Sequence, residues 1–247
     1  MKIRLDKLLV ERGLAPSRER AQAIILAGRV LVDEQKVEKP GHTVAETAAL
    51  RLLGEDMRYV SRGGLKLEAA LERWKIDLRG KFCLDVGAST GGFTDCMLQH
   101  GAARVLAIDT GYGQIAESLR RDPRVTLMER TNARNLAPGA LPPGIKFFAM
   151  DVSFISSTLV LPAVLAAISA PARLEAVVLV KPQFEVGRER VGKGGIVREP
   201  AAHHFAIDRV RACVAELQGT NIEVVDSPIQ GAEGNKEFLL HSIMANP

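Results

Sequence analysis

Four charged residues stand where a chain of alternating strands and helices does its chemistry. Lys66 lies in Gly63-Gly64-Leu65-Lys66-Leu67. Asp151 ends the apolar run Phe147-Phe148-Ala149-Met150, Lys181 ends Val177-Val178-Leu179-Val180, and Glu237 opens Phe238-Leu239-Leu240. In open α/β sheets, ligands sit beyond the carboxyl ends of the strands, so ammonium and carboxylate groups there are placed to act on one. For any one of the four, a surface charge marking the limit of an element is an equal reading. Two lysines and two acids placed this way together argue against it.

A second constellation is Asp85-Val86-Gly87-Ala88-Ser89-Thr90-Gly91-Gly92-Phe93. It follows an apolar strand and opens a helix. Glycines there let the backbone approach a ligand, and the helix N-terminus offers unpaired N–H groups. The spacing is not the Gly-x-Gly-x-x-Gly of dinucleotide sites, and no Gly-Lys-Ser/Thr closes it as in a phosphate-binding loop. Asp85 suits a ligand carrying an ammonium group rather than a pyrophosphate. One strand later, Val105-Leu106-Ala107-Ile108 ends in Asp109, an acid able to accept hydrogen bonds from ribose hydroxyls. For the loop alone, a purely structural turn is the competing reading.

The elements that must position these groups fall into two parts. In residues 1–54, Leu5, Leu8, Leu9 and Val10 predict a short helix, with a break at Gly13 and Pro16. Ser17 is a helix cap for a second apolar stripe, Ala21, Ile24, Ile25 and Leu26, that ends at Gly28. Short strands are expected at 30–32, 36–37 and 49–53. Residues 55–64, polar and closed by two glycines, read as a linker. From 65 to 247 a helix over 65–74 leads into strands at 82–86, 104–109, 125–129, 147–151 and 176–181. Helices near 92–100, 114–121, 156–168 and 200–218 alternate with them. This pattern predicts an α/β fold with a mostly parallel sheet covered on both faces, and residues 223–225 and 238–243 predict a closing antiparallel hairpin.

Composition sets the remaining bounds. The 247 residues are 47% hydrophobic and 25% charged, enough for a sizeable core, and the net charge of +4 permits a polyanionic partner without demanding one. Cys83, Cys96 and Cys213 have no metal-ligand spacing and are too few for a disulfide framework, so they are expected to be reduced thiols in a cytoplasmic protein. Charges recur from Lys2 onward, leaving no signal-peptide core, and no apolar run is long enough for a membrane helix. The histidines at 42, 100, 203 and 204 form no metal-ligand group, and no metal is expected.

The glycine loop resembles motif I of class I S-adenosylmethionine-dependent methyltransferases. Lys66, Asp151, Lys181 and Glu237 resemble, in order and in element, the Lys-Asp-Lys-Glu tetrad of the RrmJ (FtsJ)-type ribose 2′-O-methyltransferases. With Arg4-Leu5-Asp6-Lys7-Leu8-Leu9-Val10, Ser17-Arg18-Glu19-Arg20-Ala21, Gly28-Arg29-Val30, Asp151-Val152-Ser153-Phe154-Ile155-Ser156 and Lys181-Pro182-Gln183-Phe184-Glu185, nearly the whole chain is similar to the TlyA family, historically labelled hemolysin A. That family joins an S-four-type RNA-binding domain to an RrmJ-like methyltransferase domain. The resemblance implies a small α+β unit ahead of a Rossmann-like class I domain. It implies S-adenosylmethionine as cofactor and 2′-O-methylation of ribosomal RNA, at cytidine, on the large subunit and by extension the small one.

On this reading Asp85, Gly87, Ala88, Ser89, Thr90, Gly91, Gly92, Phe93, Asp109, Asn132 and Asp151 form the cofactor site. RrmJ-type enzymes usually place an acid where Asn132 stands, and an Asn carbonyl oxygen can serve an amine equally. Lys181 takes or orients the hydroxyl proton, Lys66 is the second cation, and Asp151 and Glu237 position the two lysines. The sulfonium donor supplies the driving force, so no metal is required. Arg4, Lys7, Arg12, Arg18, Arg20, Arg29 and Lys36 would grip RNA phosphates, together with Arg62 and with Arg188, Arg190 and Lys193 in the long glycine-rich stretch 187–198, read as a mobile substrate loop. Phe154 and Phe184 flank the site and could stack on a base. A monomer or weak dimer acting on ribosomal subunits is expected. The rival readings are a non-catalytic RNA-binding assembly factor, a cytolysin, and a small-molecule methyltransferase.

Overall fold

The computed structural model describes residues 2–53, 58–169, 173–231 and 234–244, and the chain divides into two compact units, Met1–Asp56 and Met57–Pro247. Residues 55–57 of the expected linker lie outside the described residues.

In the first unit, β1 (Lys2–Arg4) runs into α1 (Leu5–Glu11), and α2 (Arg18–Leu26) follows the break. Ser17 caps α2, its Oγ accepting from the Arg20 amide at 3.2 Å. Four strands complete the unit: β2 (Val30–Val32), β3 (Gln35–Val37), β4 (Thr43–Ala45) and β5 (Leu50–Leu52). β2 pairs antiparallel with both β3 and β5, and β1 pairs with β4. The β1–β4 pair was not expected. Each strand has three residues and one central aliphatic side chain, Ile3 opposite Val44, which is too short for a visible alternation.

α1 also buries an acid. Asp6 is fully enclosed and accepts from Arg4 at 3.0 and 2.9 Å, from Arg18 at 2.9 Å and from Gln22 at 3.0 Å. The Arg4 guanidinium holds its carboxyl well below the usual carboxylate range. Asp6→Ala is expected to destabilise this unit by about 1–3 kcal/mol, no more, because both arginines keep access to water. Hydrogen exchange of the α1 and α2 amides measures this, and unchanged protection would mean the acid is not a strut.

The second unit opens with α3 (Gly63–Trp74), two residues earlier than expected. Then come β6 (Phe82–Val86), α4 (Gly92–Gln99), β7 (Arg104–Ile108), α5 (Glu117–Arg120), β8 (Val125–Met128), β9 (Ile145–Met150) and α6 (Leu161–Ala167). β10 (Leu174–Val180), α7 (Pro182–Glu185), α8 (Pro200–Glu216), β11 (Gly219–Asp226) and β12 (Phe238–Met244) close it. Seven strands form one sheet in the order β11-β12-β10-β9-β6-β7-β8. β8, β7, β6, β9 and β10 are parallel, and β12 runs antiparallel between β10 and β11.

Alternate strand residues feed two cores. Leu84, Val86, Leu106, Ile108, Phe148 and Met150 pack with α6 and α8, whereas Cys83, Val105, Ala107, Phe147 and Ala149 pack with α3 and α4. Both faces are therefore covered, as a parallel sheet requires. The strand order reverses between β6 and β9, which opens a crevice at their carboxyl ends.

Two expected helices are shorter than their patterns. Only Glu117–Arg120 of 114–121 is helical, because the Ala116 amide bonds the Thr90 carbonyl in the glycine loop at 3.1 Å. The helix over 156–168 splits into a 3₁₀ turn (Ser157–Leu159) and α6, with Pro162 in the first turn of α6. No helix among the described residues is long and apolar enough to cross a membrane.

Candidate active site

The loop leaving β6 lies directly on the chain leaving β9. Gly87 has φ 89°, and a Cβ there would stand 2.3 Å from the Asp151 carbonyl oxygen. The loop is fastened from the other side by Asp109, just after β7. Its Oδ2 accepts from the Ser89 amide at 2.8 Å and its Oδ1 from the Gly111 amide at 2.6 Å. Asp109 thus shapes the loop, and each oxygen keeps a second lone pair for a ligand.

Two cavities open above these strand ends. One of about 560 Å³ is lined by Lys66, Asp151, Lys181 and Glu237 together with residues 87–90. The other, about 280 Å³, is lined by Asp109, Asn132 and their neighbours. Gly87, Ser89, Asp151, Ser153 and Phe154 face both, so the two meet along this edge.

The four charged residues come together as two pairs on the larger cavity. Lys66, on the inner face of α3, places Nζ 2.5 Å from Oε2 of Glu237, which precedes β12. Both are buried, at 8% and 3% exposure. Lys181, just after β10, places Nζ 2.5 Å from Oδ1 of Asp151, just after β9, and donates to the Ser153 hydroxyl at 2.7 Å. Each lysine is therefore held by a carboxylate from another element, with its ammonium at the cavity wall.

The remaining expected residues distribute as follows. Ala88, Thr90, Gly92, Phe93 and Arg62 line the larger cavity. Asn132 lines the smaller one and caps a 3₁₀ turn, accepting from the Arg134 amide at 3.1 Å. Gly91 and Asp85 line neither cavity; Gly91, at φ 97°, packs against Leu119. Arg188, Arg190 and Lys193 are exposed on two 3₁₀ turns, with Arg190 over the Phe205 ring at 4.3 Å. Asn235 ties that segment down, accepting from the Val197 amide and donating to the Gly195 carbonyl, both at 2.9 Å.

In the first unit, Lys7 and Lys36 are exposed, and Lys36 pairs with Glu38 at 2.7 Å. Arg12 donates to the Ala48 and Glu46 carbonyls, and Arg29 to the Leu53 carbonyl at 2.9 Å, so both brace the chain. Arg20, whose amide bonds Ser17, is half-buried on α2.

A family model for the FtsJ-like methyltransferases matches residues 59–243. The chain belongs to the FtsJ-like methyltransferase family. A model for the S4 domain matches residues 3–49 ahead of it. The chain is 49% identical over 241 residues to the provisionally named rRNA methyltransferase YqxC of Bacillus subtilis, covering 97% of this chain and 85% of that one. It is 47% identical to the 16S/23S rRNA (cytidine-2'-O)-methyltransferase TlyA of Mycobacterium tuberculosis, covering 96% and 88%. Among solved structures, a provisionally named hemolysin from Streptococcus thermophilus superposes with a TM-score of 0.74 at 42% identity, covering 99% of this chain and 89% of that one.

Within this FtsJ-like domain, Ser153, Gln183 and Glu185 were given no role by sequence reasoning, whereas Phe154 and Phe184 were expected to flank the site. Ser153 and Gln183 line the cavity beside Lys181. Glu185, 2% exposed, accepts from Ser156 Oγ at 2.5 Å, from the Ser157 amide at 2.7 Å and from Ser157 Oγ at 2.8 Å. It clamps the loop carrying Asp151 to the turn carrying Lys181. Phe154 stands 93% exposed at the cavity rim with φ 65°, its ring 5.4 Å from that of Phe184. A bulky residue in the left-handed region is strained, and such strain concentrates at working sites.

Asp85 lies beneath the loop, wholly buried. Its Oδ2 accepts from Thr94 Oγ1 at 2.6 Å, whereas Oδ1 has no donor among the described residues. Burial pushes the carboxyl up to about 7; the Thr94 hydroxyl offsets part of this and the charges of Asp151 and Asp109 add to it. Because the folded value lies above the ordinary 3.8, the associated stability is present below about pH 4 and is lost as pH rises through about 7. The ligand-free protein is expected to melt at progressively lower temperature across that window, and Asp85→Asn to flatten the slope. Equal slopes in both proteins would assign the titration elsewhere.

Proposed function

We propose that this enzyme methylates the ribose 2′-hydroxyl of cytidine in ribosomal RNA, with S-adenosylmethionine as methyl donor. The observation that carries the reading is the pairing of Lys181 with Asp151 and of Lys66 with Glu237 around one cavity continuous with the glycine loop. The substrate named for the Mycobacterium tuberculosis relative supports the choice of cytidine in ribosomal RNA.

The residues present fit that cofactor. The glycine loop borders both cavities, Asp109 keeps acceptor capacity on the smaller one, and a Cβ at Gly87 would collide with the Asp151 carbonyl, so only glycine lets the loop meet the end of β9 there. Asp85, residues 87–93, Asp109, Asn132 and Asp151 would hold it. Bound S-adenosylmethionine supplies a methyl group on a sulfonium. A ribose hydroxyl is a poor nucleophile until its proton is taken or oriented. Lys181 Nζ does this, held in place by Asp151 and Ser153. Lys66, paired with Glu237, adds a second cationic group on the wall of the same cavity. Phe154 and Phe184 give the target base a stacking surface.

Residues 1–54 serve as the RNA-binding module, 55–64 as the connection and 65–247 as the catalytic domain. Arg4, Lys7, Arg18, Arg20 and Lys36 meet phosphates, as do Arg62, Arg188, Arg190 and Lys193 beside the cavity. Arg12 and Arg29 add charge to the same module while bracing its chain. The enzyme works in the cytoplasm on ribosomal subunits, as a monomer or weak dimer and without a metal.

Transfer of labelled methyl from S-adenosylmethionine to ribosomal subunits tests the reading. Label in a ribose that resists alkaline cleavage is expected. No label on either subunit, on free ribosomal RNA or on transfer RNA would leave only a binding role.

A further inference from the structure

We infer that Gln183 reads the exocyclic amine of the target base and so sets the preference of this site for cytidine, an inference that rests on the ribose-methylation reading above. Gln183 lies in the first turn of α7, two residues beyond Lys181, and lines the larger cavity with Phe184 and Phe154. Its Oε1 is shut off from solvent and has no donor among the described residues. A buried amide oxygen without a donor is costly, and a leucine of similar size would line the wall without that cost. A rotation about the Gln183 side chain would turn this oxygen into the cavity that the residue lines, where a donor carried by the ligand would give it the partner it lacks.

A nucleoside whose ribose sits at Lys181 has its base within reach of the next turn of chain, where Gln183 stands. The N4 amine of cytosine is a donor, whereas uracil presents an oxygen at the same position and would leave two acceptors facing each other. Phe154 and Phe184, whose ring centroids lie 5.4 Å apart, line the same cavity as Gln183 and give a base aromatic surface there.

The test uses ribosomal RNA transcripts carrying cytidine, uridine or the pyrimidin-2-one riboside, which lacks only the amine, at the position that the wild type methylates. Methyl transfer is measured for wild type, Gln183→Leu and Gln183→Glu. Wild type is expected to favour cytidine over the amine-free analogue on the order of 10- to 100-fold in kcat/KM, the effect of leaving one buried acceptor unpaired. Gln183→Leu is expected to bring that ratio to about 1 by losing rate on cytidine alone. Gln183→Glu keeps an acceptor and is expected to keep the preference, which also serves if the leucine variant folds poorly. Equal rates of wild type on cytidine and the analogue would overturn the inference, as would a leucine variant that discriminates like wild type. Label on a base, or on no RNA, would overturn the ribose-methylation reading itself and this inference with it.

Discussion

Lys181→Ala is expected to slow methyl transfer about 100- to 10,000-fold, the usual weight of a positioned proton-transfer group. The protein should stay folded. Lys181 is 9% exposed, but its partner Asp151 keeps 20% side-chain exposure, so water takes over part of the lost contact. The cost in stability is roughly 1–3 kcal/mol. Cofactor affinity, read by calorimetry, should change little, because Lys181 is not among the residues proposed to hold the cofactor. Lys181→Arg separates two roles. A guanidinium keeps the positive charge but does not give up a proton near neutral pH. If Lys181 accepts the hydroxyl proton, the arginine variant is as slow as alanine. If it only orients the hydroxyl, the arginine variant recovers part of the rate. A near-wild-type rate in the alanine variant would remove Lys181 from the chemistry altogether.

The strands that carry this site were the most legible part of the chain. β6 was expected over the same five residues that form it, because four of the five are apolar and turn residues bound the run. The closing hairpin of β11 and β12 was visible too, since nothing helical separates the two runs, although only 223–225 of β11 were expected as strand. What the sequence could not carry was pairing at long range. Lys66 and Glu237 are 171 residues apart, and nothing local in either says which lysine meets which acid.

Side chains with structural duties were similarly hidden. Arg12 and Arg29 read as RNA ligands by charge, yet both spend hydrogen bonds on backbone carbonyls. Asp109 reads as a ribose acceptor, yet its first task is to hold the glycine loop by the Ser89 and Gly111 amides. Glu185 enters the sequence only as the last residue of the motif that starts at Lys181, and its contacts with Ser156 and Ser157 reveal the clamp. Hydrogen-bond partners distinguish these cases, and the partners of a loop side chain depend on what packs beside it rather than on local pattern.

The Lys66–Glu237 pair separates stability from function most sharply. Glu237→Ala is expected to destabilise the protein by about 3–5 kcal/mol, because it leaves a buried ammonium without its counter-charge. Lys66→Met alone should cost a similar amount, stranding the carboxylate, which is 3% exposed and lies against the Gly231 backbone. The double variant Lys66→Met with Glu237→Leu removes both charges and fills their volume with apolar atoms. Buried ion pairs replaced in this way are often neutral in stability or better, since neither charge needs to be desolvated. The double variant should therefore regain most of the melting temperature lost by either single variant and still transfer no methyl group. A pair kept for structure alone predicts the opposite, with activity returning as stability returns. Melting temperature and methyl transfer measured on the same three variants decide between the two.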